Sequence, residues 1–370
     1  MWHVDDLKIS HMSKDVVEGI IARLNKKFGK ESPLTTNRGK VLEYLGMTLD
    51  YLQKGQVKIS MYKYIKKIVE ESPDDMKGIA KTPASGHLFN TNLDCEKLPE
   101  KTAQLFHHIT AKLLYLCRWT RQDIQTAVAF LCTRVKSPDI DDYKKLARVI
   151  QYLRGTQELT LTIEPGDLPN WWVDSSYTMH PDMHSHSSII IMLGKGAVYS
   201  SSCKQKLNTK SSTEAELVGI DDAMGQVLWT RHFLAVQGEY VPTTTIYQDN
   251  KSTILLAENG KASSSKHTRH LNVRYYFVTD QIKKGHVKVA FCPKQDMIAD
   301  FFTKPLQGSL FMRMRERILN LPTSKIASVH RSVLEECGVD LSKCKKNDRK
   351  KKNDGQESKQ DSVTRIRVNG

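Results

Sequence analysis

The hydrophobic positions between residues 170 and 310 form short apolar runs of strand length, separated by longer segments with helical spacing. Runs of about four to eight β-branched and aromatic residues between turn residues predict strands, whereas a stripe at every third or fourth position predicts a helix. The predicted strands are Trp171–Tyr177, Ser188–Leu193, Ala197–Cys203, Thr243–Tyr247 and His286–Phe291. The predicted helices are Ser211–Gln237, Ser252–Glu258 and one that begins near Gln295. This order predicts an α+β or α/β domain with a mixed five-stranded sheet and flanking helices.

The first 160 residues have a different pattern, in which hairpins are followed by helices. His3–Ile9 predicts a hairpin with two adjacent acids, Asp5 and Asp6, at its tip. A second hairpin is predicted from Val41–Tyr51 and Val57–Ser60. Helices are predicted at Ser13–Phe28, Tyr62–Glu71, Gln104–Thr120, Asp123–Arg134 and Tyr143–Arg154, and Gln157–Asn170 is predicted to be a connection.

Four acidic residues fall within or directly beside the elements of the second half. Asp174 lies in the first apolar strand, and Asp249 ends the fourth. Glu216 lies on the apolar stripe of the long helix, and Asp300 lies in the last helix. We expect these elements to bring the four carboxylates together at one edge of the sheet. Burying a carboxylate is costly unless a cation balances its charge, so the pattern predicts a divalent-cation site.

The long helix begins with two glutamates that point in different directions, Glu214 and Glu216. Ser211 and Glu214 have the spacing of a capping box, which gives Glu214 a structural role at the helix N-terminus. Glu216 lies on the stripe that faces the sheet, which favours it as the acid of the site.

The composition favours nucleic acid as a partner. Of 370 residues, 39% are hydrophobic and 26% charged, and the formal net charge is +15. From Leu341 onward there are ten Lys and Arg against four Asp and Glu, so this tail supplies six of the fifteen charges. No apolar stretch approaches the roughly 18 residues of a membrane span. Seven cysteines without a Cys-x-x-Cys pair argue against a disulfide framework and favour an intracellular, non-secreted protein.

Five short motifs follow one another in the order of the predicted elements. They are Lys204-Gln205-Lys206, Ser211-Ser212-Thr213-Glu214-Ala215-Glu216, Tyr247-Gln248-Asp249-Asn250, Arg269–Phe277 and Ile298–Leu306. Together they resemble the RNase H domain of copia-type LTR retrotransposons. The resemblance implies an RNase H-like fold and a nuclease that hydrolyses the RNA strand of an RNA/DNA hybrid.

The resemblance also implies roles for individual residues. The catalytic and metal-binding carboxylates of the family correspond to Asp174, Glu216, Asp249 and Asp300. Such a site holds two Mg²⁺ ions, for which Mn²⁺ can substitute. Contacts with the hybrid are implied for Gln205, Ser212, Asn250 and His270.

The N-terminal part resembles the end of a reverse-transcriptase palm from the same elements. The Tyr-Val-Asp-Asp motif of the family corresponds to His3-Val4-Asp5-Asp6, so Asp5 and Asp6 are remnant polymerase acids. We expect a truncated palm at 1–80, thumb and connection helices at 81–160, the RNase H domain at 161–321 and a basic, disordered tail at 322–370. Polymerases need a third palm Asp from an earlier strand, so we expect no polymerase activity from this chain.

Two alternatives to a nuclease stay open: a non-catalytic remnant of a dead element that binds nucleic acid, and a remnant without function. The intact acids favour catalysis, because four converging negative charges would repel the phosphates that a pure binder has to hold. His180, His184 and His186 lie between the first two strands, but their spacing fits no strong metal motif.

Overall fold

The computed structural model describes residues 2–3, 6–30, 33–92, 94–260, 269–322 and 362–367. The chain divides into two units. The terminal unit comprises Met1–Leu52 and Leu321–Gly370, and the central unit comprises Gln53–Asn320. The central unit contains the four predicted catalytic acids.

The elements follow one another along the described residues in an order close to the predicted one. The strands are β1 (Trp2–His3), β2 (Asp6–His11), β3 (Thr35–Arg38), β4 (Val41–Tyr44), β5 (Met47–Asp50), β6 (Val57–Ser60), β7 (Leu161–Ser176), β8 (His186–Lys195), β9 (Ala197–Lys204), β10 (Thr244–Gln248), β11 (Val287–Phe291) and β12 (Ser362–Arg367). The helices are α1 (Lys14–Phe28), α2 (Tyr62–Glu71), α3 (Glu100–Trp119), α4 (Gln125–Arg134), α5 (Ile140–Arg154), α6 (Ser212–Val236), α7 (Lys251–Asn259), α8 (Arg269–Lys283), α9 (Asp300–Thr303) and α10 (Gly308–Leu319).

The terminal unit contains strands from both ends of the chain. β1 runs antiparallel to β2 with His3 opposite Asp6, so the predicted first hairpin is confirmed, and Asp5 lies outside the described residues. β12 pairs antiparallel with both β2 and β3. The structure thus has a strand at Ser362–Arg367, inside the segment predicted to be disordered, and three of its six residues are β-branched. The polar segment Lys343–Gln360 lies outside the described residues.

A tight turn divides the predicted strand Val41–Tyr51. β4 pairs antiparallel with β5, and the chain reverses at Leu45 and Gly46, whose φ angles are 50° and 73°. Two consecutive residues with positive φ are typical of the two-residue hairpin turn that fits the twist of its strands. Leucine rarely adopts such a φ, so the sequence carries little sign of this turn.

β7 is the central strand of the central unit. Its first part pairs antiparallel with β6, and its second part lies between antiparallel β8 and parallel β10. β9 continues the sheet beyond β8, and β11 continues it in parallel beyond β10. The order β9-β8-β7-β10-β11 contains the five predicted strands and confirms a mixed sheet, which β6 extends beside the first part of β7.

β7 is longer than predicted. It begins at Leu161, so most of the predicted connection Gln157–Asn170 is strand. Pro165 and Gly166 mark turns in many sequences, but here they lie where the pairing of β7 with β8 shifts its register. The irregularity separates the part of β7 that pairs with β6 from the part that carries Asp174.

Helix α6 packs on the sheet along the predicted stripe. Glu216, Ile220, Ala223 and Val227 are all buried, and Trp171 of β7 is fully buried against this helix. The helix predicted from Gln295 is wrong in extent. The structure has a 3₁₀ turn at Lys294–Asp296 and then the four-residue helix α9, because Met297 takes a non-helical conformation with φ −72° and ψ 86°.

A buried polar network joins the segment before residue 160 to helix α10. Arg121 is fully buried and donates to Asp123 at 2.9 and 2.8 Å and to Thr156. Tyr152 donates to Asp123 at 2.6 Å and accepts a hydrogen bond from Arg315 of α10 at 3.1 Å. The negative charge of Asp123 is thus balanced by Arg121 and also by Arg315 of α10.

Further hydrogen bonds connect the same helices to the sheet and to α9. They run from Gln122 to the Ala197 carbonyl (3.0 Å), from Gln125 to the Ser200 carbonyl (3.1 Å) and from Thr126 to the Phe301 carbonyl (2.8 Å). The residues on both sides of the predicted domain boundary at residue 161 lie in one structural unit. The division into connection helices and an RNase H domain therefore stays a prediction.

We predict that Asp123→Asn lowers the free energy of unfolding by about 3–5 kcal/mol, because it leaves the buried Arg121 guanidinium without its counter-charge. Urea unfolding followed by circular dichroism measures the change. Asp74→Asn is the matched control, since Asp74 pairs with Lys77 with 90% and 68% of the two side chains exposed. It should leave the unfolding curve unchanged, and an equal loss in both variants would contradict a role for the buried network.

Candidate active site

The four predicted acids lie on the elements that the sequence indicated. Asp174 is in the second part of β7, and Asp249 directly follows β10. Glu216 lies in the second turn of α6, and Asp300 is the first residue of α9. Asp174, Glu216 and Asp300 are buried, while Asp249 is half-buried.

Three of these acids form a close cluster. Asp174, Glu216 and Asp249 can each present a carboxylate oxygen so that the three atoms lie within 4.8 Å of one another. Oxygen ligands at this spacing suit a hard divalent cation such as Mg²⁺. We call these residues the carboxylate triad. In the described part of the chain, this is the group of His, Cys, Asp and Glu side chains whose geometry fits a metal ion.

Asp300 lies beside the triad and reaches it through a lysine. Lys304 Nζ is 2.5 Å from Asp300 Oδ1 and 3.7 Å from Asp174 Oδ2. Thr303, also in α9, is fully buried and donates its hydroxyl to Asp174 Oδ2. α9 therefore presents a carboxylate, a hydroxyl and an ammonium group to the same side of Asp174.

Gln248, the last residue of β10, fixes the geometry of the triad. Its amide nitrogen donates to the Val173 carbonyl at 3.3 Å and to Glu216 Oε2 at 3.1 Å. Its amide oxygen accepts from the backbone N–H of Asp249 at 2.7 Å and of Asn250 at 3.0 Å. A single side chain thus connects the three elements that carry the triad. The sequence analysis missed this residue, although a glutamine at the end of a buried strand is a usable signal.

The two glutamates at the start of α6 separate into a capping residue and a site residue. Ser211 Oγ accepts from the Glu214 N–H at 3.2 Å, which confirms the predicted N-cap. The Glu214 carboxylate accepts from the Lys210 N–H at 2.8 Å, one residue before the partner that a capping box would use. Glu216 instead lies against Gln248 inside the cluster.

Burial and mutual repulsion raise the pKa of the clustered acids. The pKa of Glu216 lies well above its usual value because the group is buried and faces Asp174 and Asp249. Burial and the charge of Asp174 also raise the pKa of Asp249. The same two causes raise the pKa of Asp300 to about 6, although Lys304 opposes the shift. A cation that binds among such carboxylates relieves their mutual repulsion, and this relief favours its binding.

The structure changes the interpretation of one predicted substrate contact. Gln205 is 2% exposed, and its amide nitrogen donates to Ser187 Oγ at 2.6 Å and to the Ala215 carbonyl at 2.8 Å. It therefore joins the sheet to α6, and this buried position gives no support to the prediction that it contacts the hybrid. Gln205 was predicted as a substrate contact because it lies in the motif Lys204-Gln205-Lys206.

The other predicted contacts lie close to the site or outside the described side chains. Ser212 is exposed at the first position of α6. Asn250 caps α7 by accepting from the N–H groups of Ser252 at 3.0 Å and Thr253 at 3.2 Å. His270 lies in α8, and its side chain is outside the described residues. All three stay predictions as substrate contacts.

The histidines after β7 form a buried hydrogen-bonded pair. His180 Nε2 lies 2.9 Å from His186 Nδ1, and His186 Nε2 lies 2.8 Å from Ser202 Oγ. Phe89 meets both rings edge-on. Burial lowers the pKa of His180 to about 4 and that of His186 to about 3, so both rings are neutral at physiological pH. The pair serves packing between this loop, the sheet and the segment around Phe89.

With this geometry established, the chain can be compared with known proteins. It is 24% identical over 325 residues to the retrovirus-related Pol polyprotein from transposon TNT 1-94 of Nicotiana tabacum, which covers 86% of this chain and 24% of that protein. It is 29% identical over 226 residues to the retrovirus-related Pol polyprotein from transposon RE2 of Arabidopsis thaliana, which covers 60% of this chain and 15% of that protein. The predicted resemblance to retrotransposon Pol polyproteins is confirmed.

The chain spans a quarter or less of the length of these two relatives, at 24% and 15%. No protein-family model matches it. Among solved structures, LC11-RNase H1 in complex with an RNA/DNA hybrid is similar at 10% identity and a TM-score of 0.28, covering 36% of this chain and 92% of that one. None of the helices in the described residues combines the length and the apolar character needed to cross a membrane.

We predict a pH-dependent effect of Glu216→Gln on stability without divalent cations. When the pKa of a carboxyl is higher in the folded state than in the unfolded state, the protein loses stability as pH rises from the unfolded to the folded pKa. Glutamine does not titrate, so the melting temperature of the variant minus that of the wild type should be near zero at about pH 4.5 and grow toward about pH 8.

Thermal unfolding in EDTA across this pH range measures the difference. Glu214→Gln is the control, since Glu214 lies at the helix start and outside the carboxylate triad. It should show no growth with pH. A constant difference for Glu216→Gln would show that burial and repulsion do not act on this carboxyl.

Proposed function

We propose that the chain is a retrotransposon-derived ribonuclease H that hydrolyses the RNA strand of an RNA/DNA hybrid endonucleolytically. The observation that carries the proposal is the carboxylate triad, whose three acids come from a strand, a helix and a strand end and can place their oxygens within 4.8 Å. The similarity to Pol polyproteins supports the same chemistry. A net charge of +15 supports a nucleic-acid partner.

The donor set fits Mg²⁺, with Mn²⁺ as a substitute. Asp174, Glu216 and Asp249 would hold one ion, and Asp300 would complete the site for a second. When bound, such ions neutralise the charge of the attacked phosphate, lower the pKa of water and stabilise the leaving oxygen. The raised pKa values of Glu216 and Asp249 support this assignment, since repulsion between uncompensated carboxylates is relieved by a cation.

The residues around the triad position it for this chemistry. Gln248 orients the Glu216 carboxylate and holds the backbone N–H groups that follow β10. Thr303 fixes the rotation of the Asp174 carboxylate through its buried hydroxyl. Because both partners are neutral, they hold the acids in place without reducing the negative charge that a cation needs.

Polymerase activity is not part of this proposal. Asp6 lies at the start of β2 in the terminal unit, and Asp5 lies outside the described residues. We keep both as remnant palm acids on the resemblance alone. We also propose an intracellular location, which the five free cysteines of the described residues support.

The proposal predicts that the full chain cuts a labelled RNA/DNA hybrid in Mg²⁺. Glu216→Gln or Asp249→Asn should lower the cleavage rate by about two orders of magnitude or more, because each removes a negative charge from the cation site. Denaturing gels measure cleavage. Glu214→Gln, the matched change two residues away, should retain most of the activity.

Binding of the hybrid in EDTA separates loss of catalysis from loss of the protein surface. We expect both inactive variants to bind as the wild type does. A wild-type chain that binds the hybrid but does not cut it would contradict the nuclease and support the alternative, a non-catalytic nucleic-acid-binding remnant.

A further inference from the structure

Lys304 places a positive charge inside the candidate active site. Its ammonium lies 2.5 Å from Asp300 Oδ1 and 3.7 Å from Asp174 Oδ2. Glu216 and Asp249, the other two acids, form no salt bridge within the described residues. Asp174 and Asp300 are therefore paired with a lysine of the chain itself, whereas Glu216 and Asp249 are not in the described part of the chain.

The backbone that carries Lys304 is held firmly. Three hydroxyl groups from neighbouring elements donate to carbonyls just before and within α9: Ser188 to Ala299 (2.9 Å), Thr126 to Phe301 (2.8 Å) and Ser202 to Phe302 (2.7 Å). The Lys304 N–H also closes the short helix by donating to the Asp300 carbonyl at 3.0 Å. These bonds explain why a helix of only four residues has a fixed position.

The Lys304 side chain itself has an exit to solvent. Its side chain is 35% exposed, whereas those of Asp174 and Asp300 are 3% and 9% exposed. A lysine has a flexible stem and a compact charge, so it can leave a carboxylate without a movement of the backbone. The two acids, by contrast, stay where the buried strand and the fixed helix place them.

We propose that Lys304 is an internal counter-ion that competes with a divalent cation for Asp300. A cation at Glu216 and Asp249 meets acids without a salt bridge among the described residues, and Lys304 reaches the carboxylate triad only at Asp174 Oδ2, 3.7 Å away. A second cation at Asp300 has to displace the ammonium, because two positive groups repel each other at this distance. Lys304 thereby sets the order in which the two positions are filled, and it holds Asp300 and Asp174 together before any cation arrives.

This inference rests on the proposed divalent-cation site but not on nuclease activity. Lys304 acts through Asp300 and is a positioning residue. Its removal has two opposite consequences that a purely structural lysine would not combine: the cation-free protein becomes less stable, and the second cation binds more tightly. Both effects have one cause, because Asp300 and Asp174 lose the ammonium as a partner and become available to the cation.

The test is titration of the full chain with Mn²⁺, without nucleic acid, followed by electron paramagnetic resonance and calorimetry. For the wild type we expect a tighter and a weaker cation. Lys304→Met and Lys304→Gln should tighten the weaker cation by about tenfold or more, the effect expected from removing one positive charge near the ion. Lys304→Arg, which keeps the charge, should behave as the wild type does.

Thermal unfolding in EDTA supplies the second readout. Lys304→Met and Lys304→Gln should melt at lower temperature than the wild type, and saturating Mn²⁺ should remove the difference. Lys294→Met is the matched control: Lys294 is exposed and its charge opposes the raised pKa of Asp249, but it forms no salt bridge with any of the four acids in the described residues. Because it forms no salt bridge with Asp300 or Asp174, it should change the binding of the weaker cation and the melting temperature in EDTA much less than Lys304→Met does.

The outcomes separate the two proposals. Unchanged binding of the weaker cation in both uncharged variants, or an equal change in Lys294→Met, overturns the counter-ion role, even if the wild type cuts the hybrid. A tenfold tightening in a chain that does not cut supports the counter-ion role while the nuclease proposal fails. If neither the wild type nor Lys304→Met binds Mn²⁺, the cation site and the competition are both wrong.

Discussion

Repulsion among Asp174, Glu216 and Asp249 is the constraint that the rest of the central unit has to meet. Burial and proximity raise the pKa of Glu216 and of Asp249, so the cluster opposes folding until a cation enters it. Apolar packing has to supply the free energy that holds these acids together. The contact of α6 with β7, in which Trp171 and Ile220 are fully buried, makes this contribution beneath the site.

Close approach of α6 to the sheet sets the spacing of the acids. Gly219 allows it, because a Cβ atom at this position would lie 2.6 Å from Ser175 Oγ and 3.3 Å from a Val173 methyl group. Gln205 fills the adjacent space and ties the sheet to Ala215, the residue before Glu216. Side chains that never meet a substrate therefore determine whether the carboxylates can act together.

Sequence periodicity was sufficient to predict the five-stranded sheet and to place the four acids on their elements, because each acid interrupts a regular apolar pattern. It was insufficient where tertiary contacts override local preference. Leu45 takes a positive φ, and the four-residue helix α9 is held by hydrogen bonds from hydroxyls on other elements. Gln248 and Lys304 were missed as site residues because each also has a partner remote in sequence, the Val173 carbonyl for Gln248 and the Asp174 carboxylate for Lys304.

The buried network around Arg121 and Asp123 has a consequence for the segment between α5 and β7. Tyr152 of α5 lies before this segment and Arg315 of α10 follows β7 in the chain, so the hydrogen bond between them holds the two sides together independently of the covalent link. A protease that cut the chain there would leave a nicked protein whose two pieces stay assembled. The helices before the cut and the mixed sheet after it belong to one structural unit, although they come from two separate stretches of sequence.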